Sequence, residues 1–169
     1  TINGLFFDPL TDEVIDYVGG QDDLRAGVVR AIGDPAARIA EDKLRMLRAV
    51  RFAAALGFTI DPATQAAIQK SATEITQVSA ERIGAEVSRM LVGAHRARAV
   101  ARLHATGSLA AVLPEVEVDG LDESRRVLDA LIEPTLATAL AGLLVGKQAE
   151  VCREIARRLR LTNKVADRA

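Results

Sequence analysis

Glu41-Asp42-Lys43-Leu44-Arg45-Met46-Leu47-Arg48-Ala49-Val50-Arg51-Phe52-Ala53-Ala54-Ala55-Leu56 decides how this chain is read. Leu44, Leu47, Val50 and Ala54 recur at three- and four-residue steps and form one apolar stripe, which predicts a helix from Glu41 to Leu56 that Gly57 stops. On that helix Glu41, Asp42, Arg45 and Arg48 share the opposite, polar face. An ionised Asp only accepts hydrogen bonds, whereas Arg presents a planar fork of donors. Asp42 and Arg45 together therefore match the edge of a nucleobase: Asp to an exocyclic amino group, Arg to a carbonyl or ring nitrogen. Glu41 pairs with Arg45 and holds its plane. The same four residues also describe an ordinary surface network of weak ion pairs, and spacing alone does not separate the two readings.

Downstream of this helix the pattern stays helical. Asp61-Pro62 opens a helix to about Ala72, and Ser79 caps another that runs to about Leu91. Further helices are expected over about 95–105, 122–132, 135–146 and 148–160, with Thr162-Asn163 opening a last fragment. Their short connections imply antiparallel neighbours in a helical array. Upstream, Asp34-Pro35 caps a first helical turn. Before it, Ile2–Phe7, Val14–Val18 and Val28–Ile32 read as three short strands of one small sheet, with a single helical turn at 22–25. Gly19-Gly20 ends the second strand as a turn; it lacks the Lys-Ser/Thr of a phosphate-binding loop. Thr1 stands directly in strand-like sequence, so the chain is expected to be cut from a longer protein.

Composition narrows the function classes. The 169 residues are 49% hydrophobic and 27% charged, which excludes a disordered chain. Aromatics are 3%, with no Trp and Tyr17 alone among tyrosines, so a base-stacking platform is not expected. The net charge of -1 excludes a uniformly basic nucleic-acid binder but hides local asymmetry. Residues 35–60 and 80–102 each carry five bases against two acids, and residues 147–169 carry seven against three. Residues 1–34 and 115–134 are acidic. Cys152, the single cysteine, reads as a small core filler, and nothing suggests a signal peptide or a membrane span; a cytoplasmic location is expected. His95 and His104 are nine residues apart on opposite helix faces, which does not suit a zinc site. Ser108 and Ser124 have no adjacent His–Asp partners for nucleophilic catalysis.

Several ordered stretches carry a resemblance. They are Thr1-Ile2-Asn3-Gly4-Leu5, Ile15-Asp16-Tyr17-Val18-Gly19-Gly20-Gln21-Asp22-Asp23-Leu24, Ile32-Gly33-Asp34-Pro35, Arg38 to Ala54, and Ser79-Ala80-Glu81-Arg82-Ile83-Gly84-Ala85-Glu86. In this order they closely resemble the class II nucleotidyltransferases, the bacterial tRNA CCA-adding enzymes and their sister poly(A) polymerases. Leu161-Thr162-Asn163-Lys164 resembles a stretch further into that family's helical body. The resemblance is strong over residues 1–92 and weak beyond.

What the resemblance implies is specific. The fold would be mainly α: a helical neck (34–92) and body (93–169), preceded by a small β remnant (1–33) of a nucleotidyltransferase head domain. Asp42 and Arg45 match the residues that read the Watson–Crick edge of CTP or ATP, and Glu41 matches the one that orients the Arg, with Arg48 on the same face. Asn3, Asp16, Gly19, Gly20 and Asp23 match motifs at the head–neck link. Ser79, Arg82 and Glu86 match the motif that braces the neck helices. Arg82, Arg89, Arg96, Arg98 and Arg102 are candidates for the tRNA backbone, by local charge. Mg²⁺ is expected in the intact enzyme, but the family's metal-binding carboxylates and its Arg-Arg-Asp motif fall upstream of Thr1. The chain alone is therefore expected to be inactive.

The absence of those carboxylates and that motif is the serious departure from the family pattern; Gly4 where Ala is usual is a small change, and Lys43 and Ala80 where Pro is common are both compatible with a helix. The resemblance implies CCA addition to tRNA, using CTP and ATP. A poly(A) polymerase, a CC-only or A-only enzyme, and a non-catalytic helical interaction domain remain as alternatives.

Overall fold

A computed structural model describes residues 2–161. Thr1 and residues 162–169 lie outside the described residues, and with them the expected fragment at Thr162-Asn163 and the rest of the Leu161–Lys164 stretch. A 3₁₀ turn at Ile2–Gly4 leads into β1 (Leu5–Asp8), which pairs antiparallel with β2 (Glu13–Asp16) in the register Leu5↔Asp16 to Asp8↔Glu13. Phe6, Phe7 and Val14 are at least half exposed, so neither face of this hairpin is covered by the described residues.

The third expected strand does not join the hairpin. Between them stands α1 (Gly20–Ala26), longer than the single turn expected; β3 (Val28–Val29) then pairs parallel with β4 (Thr59–Ile60), forming a second two-stranded sheet. Parallel pairing needs a long crossover. Here the crossover is α2 (Pro35–Glu41) and α3 (Leu44–Leu56), which lie between the two strands in sequence.

That pair corrects the reading of one helix over 41–56. The chain breaks at Asp42, whose backbone is extended (φ -148, ψ 103). Asp42 Oδ1 accepts from the Leu44 amide at 3.1 Å, and the Asp42 carbonyl accepts from the Arg45 amide at 3.0 Å. Asp42 thus starts α3 as a cap rather than riding on its face. Asp34 begins α2 in the same manner, accepting from Ala36 and Ala37.

The remaining helices follow closely where the sequence places them: α4 (Pro62–Ser71), α5 (Ala80–Val92), α6 (Arg96–Ala105), α8 (Leu121–Ala130), α9 (Leu136–Leu143) and α10 (Ala149–Arg158). A 3₁₀ segment at Ala72–Gln77 and the short α7 (Ser108–Val112) were not expected, being too brief to show a period. Helix α3 is the hub. Its Leu44, Met46, Leu47, Val50, Ala53 and Ala54 are buried, and it packs on α5 and α6; α6 packs on α8, and α9 bridges α8, α5 and α10. One apolar cluster runs from Val29 to Leu159. Gly84 of α5 lies against the chain that leaves α10: a Cβ there would stand 2.2 Å from the Leu159 carbonyl oxygen. No helix among the described residues is long and apolar enough to cross a membrane.

Candidate functional site

The polar side of the α2–α3 junction carries the candidate residues. Arg45 and Arg48 line a cavity of about 170 Å³ together with Asn3, Arg38, Ala49, Phe52 and residues of β3 and α4. Glu41 joins this group through its carboxylate. Arg38 Nη1 donates to Glu41 Oε2 at 2.6 Å, and Arg45 Nη2 stands 3.8 Å from the same oxygen. The expected Glu41–Arg45 ion pair is therefore present, but it is longer than a hydrogen bond.

Asp42 sits beside this cavity wall, and its carboxylate faces α5. Arg82 Nη2 donates to both of its oxygens, at 3.2 and 3.0 Å, and Arg48 Nη1 lies 3.8 Å from Oδ2. So Arg82 ties the start of α3 to α5. Glu86 makes the second tie and is only 2% exposed. It accepts from Arg51 Nε at 2.6 Å and from Arg89 Nη1 at 2.9 Å, while Arg48 Nε lies 3.7 Å away. A buried carboxylate persists only when paired and hydrogen-bonded, and here three guanidinium groups surround it. Arg51 also stacks on Phe52, 4.2 Å from the ring centroid. Ser79 occupies the cap position of α5, but its side chain makes no capping hydrogen bond.

The other group of candidates is a backbone clamp. Asp16 Oδ1 accepts from the amides of Val18 and Gly20, each at 3.0 Å, and Oδ2 accepts from Gln21 at 2.9 Å. These amides hold its carboxyl below the usual Asp value, Gln21 contributing most, then Gly20 and Val18. Gly19 turns the chain into α1 with φ 71, a left-handed conformation that side chains other than glycine adopt at a cost. Asp23 is buried and bonded to Arg30 Nε through both oxygens at 3.2 Å; Arg30 Nη1 reaches Asp61 at 2.5 Å, so one arginine joins α1, β3 and the cap of α4.

The arginines assigned to RNA by charge divide. Arg89 and Arg98 are exposed and Arg102 is half-buried. Arg96 is corrected: it is buried, and its Nη1 donates to the carbonyls of Leu128 at 3.0 Å and Leu131 at 2.8 Å. It satisfies the C-terminal end of α8, which otherwise leaves carbonyls without donors. Arg98 gives one N–H to the Ala54 carbonyl at 3.2 Å.

Sequence reading missed Arg38, Arg51 and Arg30. Arg38 precedes Glu41 by three residues and so carried a helical-pair signal. The partners of Arg51 and Arg30 are remote in sequence, and no local spacing announces them.

Comparison with known proteins agrees with the fold and extends it. Residues 57–119 match the family model described as "Probable RNA and SrmB- binding site of polymerase A". A CCA-adding enzyme of Geobacillus stearothermophilus is 36% identical over 174 aligned residues, which cover 100% of this chain and 42% of that protein. Poly(A) polymerase I of Escherichia coli O6:H1 is 46% identical over 91 residues, 54% of this chain and 20% of that protein. The crystal structure of the Bacillus stearothermophilus CCA-adding enzyme in complex with CTP superposes with a TM-score of 0.82 at 31% identity, covering 99% of this chain and 42% of that one. The chain thus spans less than half the length of the relatives it matches.

Proposed function

Since this chain belongs to the class II nucleotidyltransferases, the family of CCA-adding enzymes and bacterial poly(A) polymerases, we propose that it is the nucleotide-selecting and RNA-contacting part of an enzyme that adds CCA to tRNA 3′ ends. The observation that carries the reading is the cavity at the α2–α3 junction, with Arg45 and Arg48 in its wall and Asp42 and Glu41 beside it. Asp42, whose carboxylate Arg82 holds, exchanges that partner for the exocyclic amino group of C or A, and Arg45 donates to the ring nitrogen or carbonyl next to it. GTP and UTP present a carbonyl where C and A present that amino group, so Asp42 repels them. Sites for whole small ligands enclose roughly 300–1,000 Å³. The cavity here is smaller, about 170 Å³, which suits one wall of a site completed by another domain.

In this reading residues 1–33 belong to the head, 34–92 to the neck and 93–169 to the body, and the protein works in the cytoplasm. Arg89, Arg98 and Arg102 contact the tRNA backbone as charges. Among the described residues no three His, Cys, Asp or Glu side chains gather as a metal site. Mg²⁺, when bound in the intact enzyme, would supply charge stabilisation for phosphoryl transfer.

The test offers the full-length protein a tRNA lacking its terminal CCA, with CTP and ATP separately and together. Two C additions followed by one A, then a stop, is the expected result. Unlimited A addition without C would move the protein to the poly(A) polymerases, and incorporation of neither would leave a helical interaction domain.

A further inference from the structure

We propose that Arg38 is a specificity-determining residue: by holding the Glu41 carboxylate it leaves Arg45 free to serve two different bases. The inference rests on the reading of the α2–α3 cavity as a nucleotide site. Arg38 and Arg45 compete for one atom. Arg38 Nη1 is hydrogen-bonded to Glu41 Oε2 at 2.6 Å, whereas Arg45 Nη2 stands 3.8 Å from that same oxygen. A contact of that length is no hydrogen bond, so Glu41 does not lock the Arg45 fork.

A second observation links Arg38 to the cavity itself. Arg38, Arg45 and Arg48 all line it, and the Nε atoms of Arg38 and Arg45 are both buried with no hydrogen-bond partner among the described residues. Unpartnered Nε atoms also occur on Arg96, Arg102 and Arg125, away from the cavity, so it is the placement of Arg38 in the wall beside Arg45 that lets its hold on Glu41 be felt at the site.

The chemistry of the two substrates gives the loose Arg45 its purpose. Cytosine offers the amino group at C4 with N3 beside it; adenine offers the amino group at C6 with N1 beside it. The purine's second ring carries that edge further from the sugar. One acid and one arginine can read both edges only if the donor fork shifts between them. An Arg45 bonded tightly to Glu41 would suit a single edge. Arg38 acts through Glu41 and is a positioning residue.

The experiment measures kcat/KM for CTP and for ATP on tRNAs ending where each nucleotide is added, using the full-length protein and its R38Q, R38K, E41Q and R38Q/E41Q variants. R38Q is expected to change the CTP-to-ATP ratio at least fivefold, with the change carried in KM rather than kcat. R38K is expected to keep the wild-type ratio, and R38Q is expected to add nothing in the E41Q background. A parallel loss for both nucleotides, an unmoved ratio, or an equal effect of R38Q with and without Glu41 would each overturn the proposal. Thermal melting checks the fold, and R38M replaces R38Q for the same ratio if R38Q melts early. A wild-type protein that incorporates neither nucleotide would instead overturn the nucleotide reading on which the proposal stands.

Discussion

Asp16 shows how one side chain organises a local turn. It has no opposite charge as a partner in the clamp; three backbone amides hold its carboxylate, in the manner of a helix cap. Its pKa is lowered from the ordinary 3.8, so its contribution to stability is present above that value and is lost as pH falls through the lowered one. Urea midpoints at pH 5 and pH 3 check this: the wild type is expected to lose more stability over that interval than Asp16→Asn, and equal losses would contradict it. At the same scale, residue chemistry and close spacing brought Glu41, Asp42, Arg45 and Arg48 together in the sequence, but the single helical face expected for them is broken at Asp42. Their partners were not legible there. Arg82 reaches Asp42 across 40 residues, and Arg51 reaches Glu86 across 35. Only tertiary packing decides such contacts.

Among the elements, the α2–α3 junction is where the sequence misled. Asp-Pro opens both α2 and α4, but at the start of α3 Asp42 is followed by Lys43, so that signal is missing there. Without it the apolar stripe reads straight through Asp42. The break matters, because it turns Asp42 toward α5 while Arg45 faces the cavity. Strand β3 failed for another reason: an apolar run announces a strand but not its partner, and the partner lay 31 residues on. Helix α6 carries two kinds of arginine that composition cannot tell apart. Arg96→Ala removes the donor to two carbonyls of the α8 end and is expected to lower stability by about 1–3 kcal/mol. Arg89→Ala, on α5, removes one of three partners of Glu86 and is expected to cost less stability than Arg96→Ala, to weaken tRNA binding, and to reduce the salt slope of the affinity by about 1. Thermal melts and binding titrations across salt concentrations separate them, and an Arg96→Ala protein of unchanged stability with weaker tRNA binding would reverse the assignment.

For the whole molecule, the helical array and the uneven charge were both visible in the sequence. Two basic segments, 35–60 and 80–102, hold α3, α5 and most of α6, which pack on one another, and Glu86 and Asp42 pair with arginines of α3 and α5. Positive charge is thereby gathered on these helices, and it is moderated by two carboxylates that also tie α3 to α5. The cavity of about 170 Å³ and the exposed Phe6, Phe7 and Val14 of the β1–β2 hairpin accompany a chain that spans 42% of the length of a CCA-adding enzyme it matches. The central claim is that base selection resides on Asp42 and Arg45. It is tested most directly by kcat/KM for all four nucleoside triphosphates on tRNA lacking CCA, in the full-length protein and in Arg45→Ala. A paired hydrogen-bonding contact to a base edge contributes about 1–3 kcal/mol of discrimination, so the preference for CTP and ATP over UTP and GTP is expected to fall roughly tenfold to a hundredfold. An Arg45→Ala enzyme that folds and keeps the wild-type preference would contradict the account.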